Sequence, residues 1–180
     1  MYFEKLLSGE EKPESIEKTI HRTAARAVII REGKILLVRS DRGTYGLPGG
    51  GVEKGESPAE ALVREVAEET GYTSCQVGKK IGIVTEKRQD RFEENTYFQM
   101  VSHYYWCRLL DDTKVSQQPE DHEWEPGTSA VWIELAQAMR ENQVAVEGNA
   151  GFVFIHRENF VLGEVERIFG SVKEQDGIAR

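Results

Sequence analysis

The chain has 180 residues, of which 39 % are hydrophobic and 30 % charged, and a formal net charge of −8. That length and balance suit one domain with a single core of its own, while the acidic excess argues against a general binder of polymeric nucleic acid, whose phosphates attract basic surfaces. No apolar run reaches the roughly 18 residues of a membrane span, and Met1–Lys5 lacks the basic start and apolar stretch of a secretory signal, so a cytoplasmic location is expected.

In chain order, the first 22 residues are polar and interrupted by Pro13, which reads as a loosely packed arm with a short strand at Tyr2–Leu7. Thr23–Ile30 is a β-branched and alanine-rich strand, turned by Arg31–Lys34 into a hairpin partner at Ile35–Arg39. Asp41–Gly51, rich in glycine and carrying Pro48, is a loop with special backbone angles. A helix over Pro58–Thr70 is signalled by Ser57 as N-cap, Pro58 at the first helical position, Glu60 for a capping box and Gly71 as a left-handed C-terminal cap.

Further along, Lys80–Thr85 reads as a strand, Arg88–Asn95 as a charged loop and Thr96–Leu109 as a long aromatic strand. Asp111–Thr128 is an acidic loop, Ala130–Ile133 a short strand, Glu134–Glu141 a short helix and Asn149–Phe169 a longer one. The division expected is an arm over 1–22, one α+β domain over 23–170 and a frayed tail over 171–180. Cys75 and Cys107 form no Cys-x-x-Cys pair and no zinc-like spacing with His21, His103, His122 or His156, so two buried reduced thiols are expected.

Chemistry concentrates on the central helix. Glu65 and Glu69 lie one turn apart on one face, with Glu68 beside them. Like charges at such spacing destabilise a helix by roughly 0.2–0.5 kcal/mol per pair, which calls for an offsetting cation. Mg²⁺ favours carboxylate oxygens, water and phosphate oxygens. Glu56 can approach the same face from the N-terminal side, Arg64 can pair with and orient a glutamate, and Gly49-Gly50-Gly51 lets backbone carbonyls come close without side chains in the way.

Gly50, five residues, Glu56, seven residues and then Arg64-Glu65-Val66-Ala67-Glu68-Glu69-Thr70-Gly71-Tyr72 resembles the signature of the Nudix hydrolases. Seven fixed positions agree, a coincidence on the order of 10⁻⁸ per starting position at ordinary residue usage. Tyr72 departs from the family's bulky aliphatic residue, a matter of packing rather than ligation. The resemblance implies a mixed β-sheet sandwiched between helices, and a MutT-like pyrophosphohydrolase acting on a nucleoside diphosphate linked to another moiety. It also implies a divalent metal, Mg²⁺ with Mn²⁺ as a substitute, held by Glu65, Glu68 and Glu69, with Glu56 in support and the Gly49 carbonyl as a further ligand. Arg64 would orient a glutamate. The general base would be Glu65 or a carboxylate of the acidic loop, where Glu120, Glu123 and Glu125 are available and Glu123 is the candidate taken forward.

Two rivals stand beside that expectation: a catalytically silent module of the same fold that senses a nucleotide or binds a protein, and an isoprenoid diphosphate isomerase, for which neither cysteine sits in a recognisable motif. Ile81–Asp90 has neither the proline associated with ADP-ribose hydrolysis nor the tyrosine associated with dinucleoside polyphosphates. Nucleoside triphosphates, nucleotide sugars and oxidised nucleotides all fit, and a homodimer is an open option.

Overall fold

In the computed structural model, which describes residues 2–8, 12–16, 18–90, 93–115, 128–148 and 153–177, a mixed sheet carries three helices. Its strands are β1 (Phe3–Ser8), β2 (Lys18–Arg31), β3 (Lys34–Arg39), β4 (Tyr45–Gly46), β5 (Cys75–Gln89), β6 (Thr96–Leu109) and β7 (Ser129–Ile133), and its helices are α1 (Pro58–Thr70), α2 (Leu135–Gly148) and α3 (Val153–Gly177). The sheet order is β1-β5-β6-β2-β3-β4, with β7 joined to β3. β1 with β5 and β2 with β6 run parallel, and the other neighbours run antiparallel.

The period of two along a strand sorts the core into two layers. On one face Ala25, Ala27, Ile29 and Leu36 pack with Leu62 and Val66 of α1. The two alanines let this helix lie close to the sheet. On the other face Val28, Ile35, Leu37, Val84 and Tyr104 pack with Ala138 of α2 and Val161, Leu162, Val165 and Ile168 of α3. The sheet is thus covered on both sides, as expected for an α+β sandwich.

α1 and β6 have the bounds expected from sequence. Three other readings need correction. The strand expected at Tyr2–Leu7 is β1, an edge strand, but the arm ends earlier than residue 22, because β2 begins at Lys18, paired with Thr96, and not at Thr23. β5 runs from Cys75 to Gln89, well beyond Lys80–Thr85, because its polar ends are held by the β6 ladder rather than by an apolar pattern. Helix α2 continues to Gly148, and α3 spans Val153–Gly177, so residues 171–177 are helical. Cys75 and Cys107 are free and half-buried on β5 and β6.

β1 is fixed by a glycine. Phe3, 5 % exposed, packs its ring against Tyr104 and Phe160 at centroid separations of 5.5 and 6.0 Å. A Cβ on Gly82, its register partner, would stand 2.3 Å from that ring. Gly82→Ala is expected to lower stability by about 1–3 kcal/mol through overpacking, measured by urea unfolding. In the Phe3→Leu background the same alanine is expected to cost much less; an equal cost in both backgrounds would show that the ring is not what the glycine accommodates.

Candidate active site

Helix α1 begins and ends as its sequence demands. The Ser57 hydroxyl accepts from the Glu60 amide at 3.3 Å, the Glu60 carboxylate accepts from the Ser57 amide at 2.8 Å, and Gly71 takes φ 78° while donating to the Ala67 carbonyl. Such caps contribute about 1 kcal/mol each and fix the register that turns Glu65, Glu68 and Glu69 to one side. Tyr72, just beyond, is buried and accepts a 3.0 Å bond from the Trp132 indole, so the departure from an aliphatic residue serves packing against β7.

Arg64 is the hub of the carboxylates. Its Nε and Nη2 donate to the two oxygens of Glu56 at 3.0 and 3.1 Å. Its Nη1 donates to Glu65 at 2.9 Å and Glu68 at 3.2 Å, and Nη2 also reaches the Gly51 carbonyl at 3.1 Å. The fork to Glu56 is the geometry that makes guanidinium–carboxylate pairs strong. Its hydrogen bonds hold the Glu56 carboxyl below its ordinary value of 4.5 and, with Glu65, raise the Arg64 pKa further. Glu69, 4 % exposed, accepts from the Gly49 amide at 2.8 Å.

The loop between β4 and α1 is an extended chain beside β2. Ala25 and Ala27 of β2 donate to the carbonyls of Gly50 and Pro48 at 3.0 and 2.8 Å, and Val52 donates to Thr23 at 2.9 Å. The approach is so close at Gly49, where φ is 135°, that a Cβ would sit 2.1 Å from the Ala25 carbonyl oxygen. Among the described residues no strand stands along the outer edge of this chain, and side chains supply the bonds. Asn142 of α2 accepts from the Tyr45 amide at 2.7 Å and donates to its carbonyl at 3.0 Å. Glu158 of α3 accepts from the Leu47 amide at 3.0 Å. Arg26 of β2 donates to the carbonyls of Leu47 and Gly49.

Of the residues singled out from sequence, Glu56, Glu65 and Glu68 meet at Arg64, and Glu69 and Gly49 meet each other. The Gly49 carbonyl, expected to face a cation, accepts from Arg26 in this structure. Among the described residues no three His, Cys, Asp or Glu side chains already surround a common point for a metal; the guanidinium occupies the centre of the cluster. Glu120, Glu123 and Glu125 lie outside the described residues. Sequence reasoning passed over Arg26, Asn142, Arg157 and Glu158. A lone arginine inside the apolar run TAARAVII, and an Arg-Glu pair inside the apolar period of α3, were the available signals.

A sequence model of the NUDIX domain matches residues 20–153. The chain belongs to the Nudix family. Among relatives, a MutT-like protein of Streptomyces ambofaciens is 40 % identical over 68 residues, 37 % of this chain and 44 % of that protein. An ADP-ribose pyrophosphatase of Methanocaldococcus jannaschii is 38 % identical over 71 residues, covering 37 % of this chain and 41 % of that one. The human diphosphoinositol polyphosphate phosphohydrolase NUDT4B is 40 % identical over 112 residues, 61 % of this chain and 55 % of that protein. The Nudix chain described here spans about half the length of the curated relatives it matches. Among solved structures, a NUDIX hydrolase from Nitrosomonas europaea superposes with a TM-score of 0.47 at 25 % identity, covering 79 % of this chain and 89 % of that one.

Two outcomes follow for this Nudix site. Gly49→Ala is expected to lower stability by about 3 kcal/mol or more, combining a strained φ with a backbone clash. Gly33→Ala, with positive φ in open space, should lose only about 1–2 kcal/mol; equal losses in urea unfolding would refute the close approach at Gly49. Arg64→Met removes the cation that depresses Glu56. Because a depressed carboxyl stabilises the fold above its unfolded value and loses that contribution as pH falls through its folded one, the variant is expected to show a flatter stability curve below pH 4.5. The Glu56 carboxyl resonance should titrate higher than in the parent, and an unchanged NMR titration would count against the pairing.

Proposed function

We propose that this Nudix chain hydrolyses the diphosphate linkage of a nucleoside diphosphate bonded to another moiety, with Mg²⁺, or Mn²⁺ in its place, as the cofactor. The observation that carries the reading is the gathering of Glu56, Glu65 and Glu68 on one guanidinium, with Glu69 bonded to the glycine loop that faces them. Four carboxylates gathered around Arg64 and the glycine loop present a set of hard oxygen donors. That donor set fits a magnesium-class ion. Glu56, Glu65, Glu68, Glu69 and the Gly49 carbonyl would hold it. When bound, the metal supplies charge stabilisation at the phosphoryl oxygens and lowers the pKa of water.

The remaining steps belong to the protein. Arg64 keeps Glu56, Glu65 and Glu68 within reach of one another by bonds of 2.9–3.2 Å. Gly49, lacking a side chain, leaves the approach to Glu69 clear. Glu65, with one oxygen on Arg64, is a base candidate within the cluster, and Glu123 of the acidic loop is the other. The family relative named as an ADP-ribose pyrophosphatase supports a small nucleotide-like diphosphate as substrate rather than a polymer. No helix among the described residues is long and apolar enough to cross a membrane.

A screen of nucleoside diphosphate compounds with Mg²⁺ and Mn²⁺, with product identification, tests the reading. Glu68→Gln and Glu69→Gln preserve size and hydrogen-bonding reach, so the fold is expected to persist while kcat falls by at least about 10²-fold, the scale of a lost charge-stabilising element. Variants that turn over at the parent rate, or a parent protein as active in excess EDTA as in Mg²⁺, would overturn it.

A further inference from the structure

The outer edge of the Tyr45–Gly49 chain poses an accounting problem. Buried backbone groups are paired almost without exception, yet among the described residues no strand lies beside this edge. Three amides, those of Tyr45, Leu47 and Gly49, point to it and are met by Asn142 of α2, Glu158 of α3 and Glu69 of α1. Glu69 belongs to the carboxylate cluster already described. Asn142 and Glu158 lie far from it in sequence, and Glu158 lies beyond the region matched by the NUDIX domain.

Glu158 is 1 % exposed. A buried carboxylate is costly unless fully bonded, and here both oxygens are engaged. Oε2 takes the Leu47 amide at 3.0 Å, and Oε1 takes Arg157 Nε and Nη2 at 3.0 and 2.8 Å. Arg157, itself 6 % exposed, is anchored on its far side to Glu86 of β5 at 2.6 Å. A buried chain of charges thus runs from β5 through α3 to the loop. A core that needed only apolar packing at this position would be served better by leucine, so the ion pair is retained for where it puts the loop.

We propose that Glu158, oriented by Arg157 and seconded by Asn142, is a positioning residue for the Nudix reaction. By holding the Leu47 amide it fixes the path of the following two residues, and so sets Gly49 against Glu69. The inference rests on the hydrolase reading for its kinetic half, while its structural half stands on the metal-free protein. Gln at this position keeps the shape but offers an amide N–H to either Arg157 or Leu47, both donors, and so cannot serve both.

The test compares Glu158→Gln with Val165→Ala, a truncation on the same helix of a buried apolar side chain that can form no hydrogen bond to the loop. Amide exchange followed by NMR in the metal-free protein is the first readout. Glu158→Gln is expected to speed exchange at Leu47 and Gly49 by at least tenfold relative to the β6 amides, while Val165→Ala speeds all protected amides together. The second readout is turnover of a diphosphate that the parent hydrolyses. For Glu158→Gln kcat is expected to fall at least tenfold, with KM within about threefold of the parent and circular dichroism unchanged; Val165→Ala keeps kcat within twofold. Uniform exchange in Glu158→Gln, or an unaltered kcat, would overturn the proposal. Where Glu158→Gln does not fold, Asn142→Asp, which retains the acceptor for Tyr45 and loses the donor, takes its place. It is expected to lower kcat at least threefold with selective exchange at Tyr45, and parent-like behaviour in that variant refutes the inference. A parent inactive on every diphosphate would defeat the hydrolase reading alone, because the exchange comparison would still stand.

Discussion

The constraint on which the site depends is the fit of an eight-residue stretch, Tyr45 to Val52, into the space left when β3 turns away from β2. β2 and β3 pair only at Ile30–Ile35 and Arg31–Lys34 before β3 goes on to pair with β4 and β7. The exposed flank of β2 must then be bonded by something else, and the glycine-rich chain does it through Pro48, Gly50 and Val52. Backbones in such proximity admit no side chain at Gly49. The same proximity brings the start of α1 to the sheet and turns its acidic face toward the loop. Glycine choice, helix placement and carboxylate clustering are consequences of one missing strand.

Charge is handled differently on the two faces of the sheet. Near α1 a single partly exposed guanidinium gathers three partly accessible carboxylates. Near α3 the buried Arg157 lies between Glu158 and Glu86, with every oxygen of Glu158 assigned. The first arrangement suits exchange of partners with an incoming cation. The second suits immobility. That contrast separates the groups proposed to do chemistry from those proposed to keep the chemistry in register.

Local signals made α1 legible from the sequence. Ser57, Pro58, Glu60 and Gly71 are each read from their neighbours, and the helix bounds follow from them. The aromatic β6 was equally plain. The ends of β2 and β5 were not, because Lys18–Arg22 and Glu86–Gln89 carry no apolar alternation and are held as strands by pairing with β6. β1 was legible as a short strand at Tyr2–Leu7, but its anchor was not: Phe3 seats over Gly82 of the neighbouring β5, a partner far along the chain. The carboxylate set was visible as letters at fixed spacing, but its closure on Arg64 required coordinates. Asn142 and Glu158 were beyond sequence reasoning altogether, since each meets the loop across about a hundred residues, with separations of 97 and 111.

Those long separations bear on biosynthesis. A ribosome releases the glycine loop and every acidic residue of the signature well before it has made α3. Until Glu158 emerges, the Leu47 amide has only water for a partner, so a half-made chain holds the full set of signature letters on a loop with one support absent. The reactive geometry is therefore a late acquisition of the growing polypeptide, and shortening the chain from its carboxyl end should silence it long before the recognisable motif is touched.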